Sequence, residues 1–230
     1  MPRQVPVGDA PLSGDPQPVW DIPVRLVHWG LAALIAFSWW SVENHHTDWH
    51  IWSGIMILTL LVFRLLWGFV GSSTARFSNF VRGPKAVTRY LRGNWSGTGH
   101  TPLGAISVLA LFFAVAIQVG LGLFNEDEDG LYAGPLAQLF GVDTTDKVRV
   151  LHETWFYVVL GLIVLHLAAI LYYRLVSGKK LTKPMITGKS ALAPGAEPMR
   201  PGKWWVALLC LAAAFAVSRW IVAGAPPFSS

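Results

Sequence analysis

Two histidines lie inside one long apolar segment, residues 150–176, which reads VLHETWFYVVLGLIVLHLAAILYYRLV. About 20 apolar residues suffice for a helix to cross a bilayer, so this segment is predicted to be transmembrane. His152 and His166 are fourteen residues apart, which places both imidazoles on one helix face, about 21 Å apart along the axis. Ionisable side chains in such a helix usually face the bundle interior. We interpret the two histidines as metal ligands near opposite membrane surfaces; hydrogen-bonded core histidines are the plainer alternative.

The composition is that of an integral membrane protein. Of the 230 residues, 53% are hydrophobic and only 13% are charged, a balance that excludes an ordinary soluble domain. The single cysteine, Cys210, excludes an intramolecular disulfide, an iron–sulfur cage and covalent haem attachment through a CxxCH motif. A redox centre in this chain must therefore be held by other ligands.

Hydropathy divides the chain into five predicted spans. Residues 1–19 are rich in Pro and Gly and are predicted to form a flexible tail and not a signal peptide. Residues 20–190 are predicted to form the main membrane domain, and residues 191–230 a linker and a last helix. The spans are placed at about 24–41, 49–70, 102–124, 150–176 and 204–224. The expected fold class is an all-α membrane protein: a four-helix transmembrane bundle with a fifth C-terminal transmembrane helix.

Tryptophan is unusually frequent, with 12 residues in the chain. Its side chains favour the two membrane–water interfaces, where they form aromatic belts. They cluster at the predicted span ends, with Trp39, Trp40, Trp49, Trp52 and Trp155 near one surface and Trp29, Trp67, Trp95, Trp204 and Trp205 near the other. We therefore predict two belts. A short surface helix is also predicted from Pro84, because proline is favoured in a first helical turn.

Lysine and arginine predict the orientation in the membrane. Residues 71–101 carry five basic side chains and residues 177–203 carry six, whereas the loops after the first and third spans carry none and two. Basic residues concentrate in cytoplasmic loops. The N-terminus is therefore predicted to be cytoplasmic and the C-terminus periplasmic.

This orientation sorts four histidines into two pairs. His28 and His166 lie toward the cytoplasmic surface, and His50 and His152 lie together at the outer surface. Two imidazoles from neighbouring helices can hold a b-type haem without a covalent link, because iron accepts two axial nitrogens and the apolar bundle buries the macrocycle. The pairs therefore predict two haems. Zinc is a weaker alternative, since it prefers four ligands that usually include cysteine or carboxylates.

Three further polar residues are predicted at the inner level. Arg64 follows His50 by fourteen residues, so it shares that helix face and lies level with the inner pair. Its guanidinium could pair with a haem propionate; snorkelling to the head groups is the alternative. Arg25 could meet a propionate or a lipid phosphate. His100 could help to protonate a quinone, since an ordinary imidazole pKa is about 6.5; a hydrogen bond at the helix start is the alternative.

Five segments together make the chain recognisable. They are VWDIPVRLVHW at 19–29, WHIWSGIMILTLLVFRLLWGFVG at 49–71, GHTPLG at 99–104, LHETWFYVVLGLIVLHLAAILYYRLV at 151–176 and KPMITGK at 183–189. This set resembles the bacterial cytochrome b561 family, which includes the b-type cytochrome subunits of membrane-bound nickel–iron hydrogenases. The resemblance covers about residues 19–190 and leaves the last helix outside.

The resemblance implies a function and a location. It implies a cytoplasmic-side haem on His28 and His166 and a periplasmic-side haem on His50 and His152. It also implies a bacterial inner-membrane protein that passes electrons between a periplasmic partner and membrane quinone, either ubiquinone or menaquinone. We expect lipid contacts and no nucleic-acid partner.

Three functions remain open at this point. The first is electron transfer from a c-type cytochrome or a partner redox subunit to quinone. The second is superoxide oxidation coupled to quinone reduction, and the third is a haem-stabilised membrane anchor. The outer loop carries Glu126, Asp127, Glu128 and Asp129. Such a loop would repel superoxide and attract a lysine-rich protein, so a protein donor that docks there is favoured.

Overall fold

A computed structural model describes residues 15–81, 83–92, 99–178, 180–192 and 196–226. The first fourteen positions of the predicted tail lie outside these residues. The described helices are α1 (Ile22–Glu43), α2 (Thr47–Val70), α3 (Phe77–Phe80), α4 (Pro84–Leu91), α5 (Pro102–Leu123), α6 (Val142–Leu175), α7 (Thr182–Thr187) and α8 (Trp204–Val222). A 3-10 turn spans Ala137–Leu139, and two short antiparallel strands, β1 (Gln17–Pro18) and β2 (Lys189–Ser190), pair with each other.

Five of these helices, α1, α2, α5, α6 and α8, are long and apolar enough to cross a membrane. The predicted all-α membrane fold is therefore confirmed, and α4 begins at Pro84 as predicted. Local chemistry fixes two of the helix starts. The Asp21 carboxylate accepts the amide hydrogen of Val24 at 2.8 Å, and the Thr101 hydroxyl accepts that of Gly104 at 3.1 Å. Each cap satisfies a backbone donor that the first helical turn leaves unpaired.

Helix α6 is longer than its apolar segment. It begins at Val142, eight residues before the predicted start at Val150, and contains 34 residues. That corresponds to about 51 Å at 1.5 Å per residue, against a hydrocarbon thickness of about 30 Å. The extra turns carry Asp143, Asp146 and Arg149. Hydropathy marks the apolar part of a helix and not its ends. The polar first turns of α6 were therefore not predicted.

Helix α2 is at the centre of the bundle. It packs against α1, α5 and α8, whereas α6 packs mainly against α5. Among the described residues, α6 has no comparably extended backbone contact with α1 or α2. Only Thr145 and Val159 of α6 are buried. The backbone of α6 therefore stands off from those of α1 and α2, and side chains bridge the distance: Val159 of α6 shares a buried core with Ile57 and Leu61 of α2.

Hydrogen bonds join the start of α1 to the segment that contains α7 and β2. The amides of Val19 and Trp20 donate to the carbonyl of Gly188 at 2.8 and 3.1 Å. The Arg25 guanidinium donates to the carbonyl of Ile186. Gly188 has a φ of 78°, and an added Cβ would lie 2.8 Å from the Arg25 guanidinium. This contact holds α7 and β2 beside the start of α1, close to His28.

The last span packs on the outside of α2. The Thr59 hydroxyl donates to the Ser218 hydroxyl at 2.9 Å, and Cys210 and Ala214 enter a core shared with α1 and α2. Just before α8 begins, the Arg200 amide donates to the Ser73 hydroxyl at 2.9 Å. Helix α8 is therefore an addition to the four-helix bundle that supports its central helix.

The predicted tryptophan belts are only partly correct. Eight tryptophans have large exposed surfaces: Trp29, Trp39, Trp40, Trp49, Trp52, Trp204, Trp205 and Trp220. Trp67 is instead buried, with 1% of its surface exposed, and its indole donates to the Asp21 carboxylate at 2.9 Å. Trp155 is half-buried and donates to the carbonyl of Ala114 at 2.9 Å. A buried indole needs such a hydrogen-bond acceptor. Trp95 lies outside the described residues.

Candidate functional site

The outer histidines lie against each other. His50 comes from the first turn of α2 and His152 from the third turn of α6. Their ring centres are 6.0 Å apart and the ring planes are nearly perpendicular, at 87°. The predicted outer pair is therefore brought together by two helices that otherwise make little backbone contact.

A backbone carbonyl on a neighbouring helix orients each of these rings. His50 Nδ1 lies 3.1 Å from the carbonyl of Ser38 on α1 and 3.0 Å from the Ser38 hydroxyl. His152 Nδ1 lies 3.0 Å from the carbonyl of Gln118 on α5. An imidazole that donates from Nδ1 to a carbonyl carries its free lone pair on Nε2, the arrangement typical of a metal-ligating histidine. Sequence reasoning missed Ser38 and Gln118, although each is a polar residue within an apolar span.

The spacing of the outer rings suits one metal ion between them. Two imidazoles that bind an ion from opposite sides through bonds of about 2 Å have ring centres about 6 Å apart, and the observed distance is 6.0 Å. In the described part of the chain, no three side chains of the types His, Cys, Asp or Glu converge to hold an ion. The outer pair thus offers two nitrogen ligands from two helices, the number that a b-type haem takes from a protein.

Glycines line the outer site. An added Cβ on Gly122 would lie 3.1 Å from Cε1 of His152. Gly54 follows His50 by one helical turn and shares its face, and an added Cβ there would meet nothing within 4 Å. Gly122 therefore leaves room for the His152 imidazole, and Gly54 leaves open space beside His50, on the side where a flat ring system would lie.

The inner histidines are more open. His28 and His166 are both half-buried, and they are near enough for a charge on one to act on the other. His28 Nδ1 is buried and has no hydrogen-bond partner among the described residues. A buried imidazole nitrogen without a partner is costly. A bound group that formed a hydrogen bond or a metal bond with His28 would remove the cost of this unpartnered nitrogen. The inner residues therefore also fit a ligand.

Arg64 is inside the protein. Its side chain is 7% exposed, and its guanidinium carbon lies 5.1 Å from the centre of the Phe77 ring and 6.0 Å from that of Phe80. Its Nη1 has no hydrogen-bond partner in the described residues. The alternative that Arg64 snorkels to the head groups is therefore contradicted by its burial. The cation is available for an anionic group at the level of the inner histidines.

His100 lies between two aromatic rings. The ring centres of Trp20 and Phe80 are 4.4 and 4.7 Å from that of His100. Burial, reinforced by the positive charge of Arg64 and by the nearby His28 imidazole, lowers the pKa of His100 to about 3. The premise that this pKa lies near working pH is therefore wrong. A neutral His100 can form hydrogen bonds, and its Nδ1 has no partner among the described residues.

The acidic outer loop is folded onto the end of α5. The amides of Gly134 and Leu136 donate to the carbonyls of Asn125 and Leu123 at 2.7 and 2.9 Å. An added Cβ on Gly134 would overlap the carbonyl oxygens of Gly122 and Leu123, so only glycine fits there. The loop consequently lies beside Gly122, the residue that contacts His152.

Two of the four predicted docking acids are engaged within the protein. Glu128 pairs with Arg149 at 3.0 Å, and Arg149 also approaches Glu153 at 3.6 Å and Asp146 at 3.9 Å. The Asp127 carboxylate accepts the amide hydrogen of Tyr132 at 3.0 Å. Glu128 and Asp129 are exposed, whereas Glu126 and Asp127 are half-buried. The loop keeps its acidic surface, but Arg149 offsets part of the charge.

Comparison with known proteins assigns the family. The family model for prokaryotic cytochrome b561 matches residues 19–188. The chain belongs to the prokaryotic cytochrome b561 family. It is therefore a multi-pass membrane cytochrome that binds haem b and transfers electrons. Searches of the curated proteins and of the solved structures returned no similar chain. The match contains α1, α2, α5, α6 and α7 but not α8, so the fifth span is an addition to the cytochrome b561 core.

The lowered pKa of His100 predicts a pH dependence of stability. An unfolded imidazole takes up a proton near pH 6.5, whereas the folded one does so only near pH 3. The folded cytochrome should therefore lose stability as the pH falls from 6.5 toward 3. Replacing His100 by Phe, which suits the aromatic surroundings, removes this contribution. Between pH 7.5 and 5.5 the wild type should lose about 1 kcal/mol more than His100→Phe.

The measurement is the free energy of unfolding in detergent micelles at the two pH values. The contributions of the other titrating groups cancel in the difference between the two proteins, because both proteins contain those groups. An equal loss in wild type and variant would show that His100 is protonated in the folded protein.

Proposed function

We propose that this cytochrome b561 holds two non-covalent b haems and carries electrons between a periplasmic donor and the quinone pool. His50 and His152 would hold the outer haem, and His28 and His166 would hold the inner one. The observation that carries the proposal is the arrangement of the outer pair, with ring centres 6.0 Å apart and each Nδ1 directed at a carbonyl of another helix.

When bound, haem supplies one-electron chemistry at each level. The protein supplies the rest. The carbonyls of Ser38 and Gln118 hold the outer rings at Nδ1, which would leave Nε2 to bind iron; the Gln118 amide nitrogen, 3.3 Å from His152 Nε2, would give way to it. Arg64, whose Nη1 has no partner among the described residues, would supply a charge-assisted bond to a propionate at the inner level. Apolar helices exclude water around both sites.

Quinone, either ubiquinone or menaquinone, reacts at the inner level. Arg25, Arg64 and His100 are polar groups at the end of the bundle where α1 begins. Because His100 is neutral at working pH, its role is to hold a quinone oxygen by a hydrogen bond, not to carry a positive charge. The Arg25 guanidinium is tied to the carbonyl of Ile186, so it orients α7 at the edge of this region.

The donor docks at the acidic end of the bundle. Exposed apolar side chains, Leu131, Phe140 and Val142, lie in the same loop region as Glu128 and Asp129. Apolar surface rimmed by charges is typical of a protein interface. The partner is a lysine-rich periplasmic protein, either a c-type cytochrome or a redox subunit. The proposal has the chain in the bacterial inner membrane with its N-terminus cytoplasmic and its C-terminus periplasmic, which the concentration of Lys and Arg in two of the loops supports.

The two other functions find less support. Superoxide is an anion, and the acidic surface at the outer mouth would repel it. A haem-stabilised anchor needs one haem, whereas the two levels of histidine on α6 provide for two in series across the membrane. Electron transfer from a protein donor accounts for both the acidic outer surface and the two levels of histidine.

The first prediction separates the two haems by their ligands. His152→Ala and His50→Ala should each remove the outer haem and spare the inner one, because neither residue lies at the inner level. His28→Ala should do the converse. The measurement is haem per polypeptide, with a redox titration that follows which absorbance component is lost. A wild-type protein with one haem, or loss of the same component from both kinds of variant, would refute the assignment.

The second prediction concerns the docking surface. Neutralising Glu126, Asp127, Glu128 and Asp129 to Gln or Asn should slow association with the donor by about tenfold at low salt and flatten its salt dependence, because long-range steering is screened over about 8 Å at physiological ionic strength. Stopped-flow reduction of the haem by the donor gives the rate.

Arg149→Gln is the matched control for charge at this surface. It removes the cation that offsets Glu128 and should speed association. Haem content must stay unchanged in both proteins. Equal rates for wild type and the acidic-loop variant at low salt would place the donor elsewhere.

A further inference from the structure

Helix α4 presents a basic face at the end of the bundle where α5 begins. Ala86 is buried and Tyr90 is half-buried, whereas Lys85, Arg89 and Arg92 are exposed. The Tyr90 hydroxyl is 2.7 Å from the Tyr173 hydroxyl in the last turns of α6. Helix α4 therefore lies beside the last turns of α6 and in contact with α5, at the end of the bundle where α5 begins.

More cations follow along the chain at the same end. Arg174 closes α6, and Lys180 and Lys183 lie at α7; all three are exposed. We name six residues the basic rim: Lys85, Arg89, Arg92, Arg174, Lys180 and Lys183. Within the described residues, none of the six forms an ion pair with an acidic side chain. The basic rim is therefore a band of cations without internal counter-charges.

Exposed apolar side chains alternate with these cations. Val81 precedes α4, Leu175 and Val176 follow Arg174, and Leu181 and Ile186 flank Lys183. A surface that faced only water would leave these side chains solvated. At a membrane interface, apolar side chains enter the acyl region while neighbouring lysines and arginines reach the head groups. The interleaving favours a lipid surface over a water-soluble protein as the occupant.

We propose that the basic rim binds the phosphates of anionic phospholipids, with α4 and the α6–α7 junction as the two halves of the binding surface. Negative head groups attract basic segments that border a transmembrane helix, and the attraction grows with each cation. The Tyr90–Tyr173 hydrogen bond brings the halves to one end of the bundle. This binding goes beyond electron transfer and does not depend on the haem ligands, so either proposal can fail alone.

The test uses the full-length cytochrome in neutral detergent with phosphatidylglycerol or phosphatidylcholine added. Native mass spectrometry gives the lipid occupancy at each concentration. The wild type should bind phosphatidylglycerol in preference to phosphatidylcholine. Arg89→Gln with Arg92→Gln should weaken phosphatidylglycerol binding by about tenfold or more, because two head-group cations are lost, and should leave phosphatidylcholine binding unchanged.

The matched control removes two cations at the opposite end, Lys147→Gln with Arg219→Gln, both exposed. This control should keep the wild-type preference. Lys180→Gln with Lys183→Gln provides a second test of the basic rim that leaves α4 intact. Elution volume and haem absorbance check that each variant is folded.

Three outcomes would overturn the proposal. They are equal binding of the two lipids by the wild type, an equal loss in the opposite-end control, and an unchanged preference in both variants of the basic rim. The last result would leave a soluble acidic protein as the occupant of this surface.

Discussion

The structure depends on the cost of placing imidazoles in an apolar medium. Helix α6 carries His152 and His166 into the bilayer, and a polar side chain there needs a partner at its own depth. For the outer pair, the partners are visible: the carbonyls of Ser38 and Gln118 lie within hydrogen-bond distance of the two Nδ1 atoms. The bundle is arranged to meet this requirement, with α1 and α5 flanking the two helices that supply the ligands.

The same requirement explains why α6 makes little contact with α1 and α2. Helices that held a flat cofactor between them could not also interlock their backbones. Side chains bridge the gap in the middle of the bundle, where Val159 of α6 meets Ile57 and Leu61 of α2, and loops and short elements cover the two ends. The loop that folds onto the end of α5 closes one end, and the strands β1 and β2 with α7 close the other. These ends also differ in charge, with acids at one and the basic rim at the other.

Much of this architecture follows from the sequence, because hydropathy predicts the membrane spans and residue spacing predicts the depth of each ligand. Five spans and the closeness of His50 to His152 were predictable for that reason. The carbonyls that orient the rings were not, since any residue has one and only helix rotation selects Ser38 and Gln118. Likewise, the burial of Trp67 and the lowered pKa of His100 depend on tertiary packing that a residue's position in its own helix does not reveal.

The central claim is that electrons cross the membrane from the acidic end to a quinone at the other end. It is tested most directly in liposomes that contain uniformly oriented cytochrome with its acidic end outward, a donor outside and quinone in the bilayer. The turnover rate is followed under an imposed potential, together with the pH on each side. We predict proton uptake from the inner compartment. We also predict a rate that changes with potential, since a full crossing is worth about 2.3 kcal/mol per electron per 100 mV. Proton uptake from the donor side, with a rate indifferent to the potential, would contradict the account.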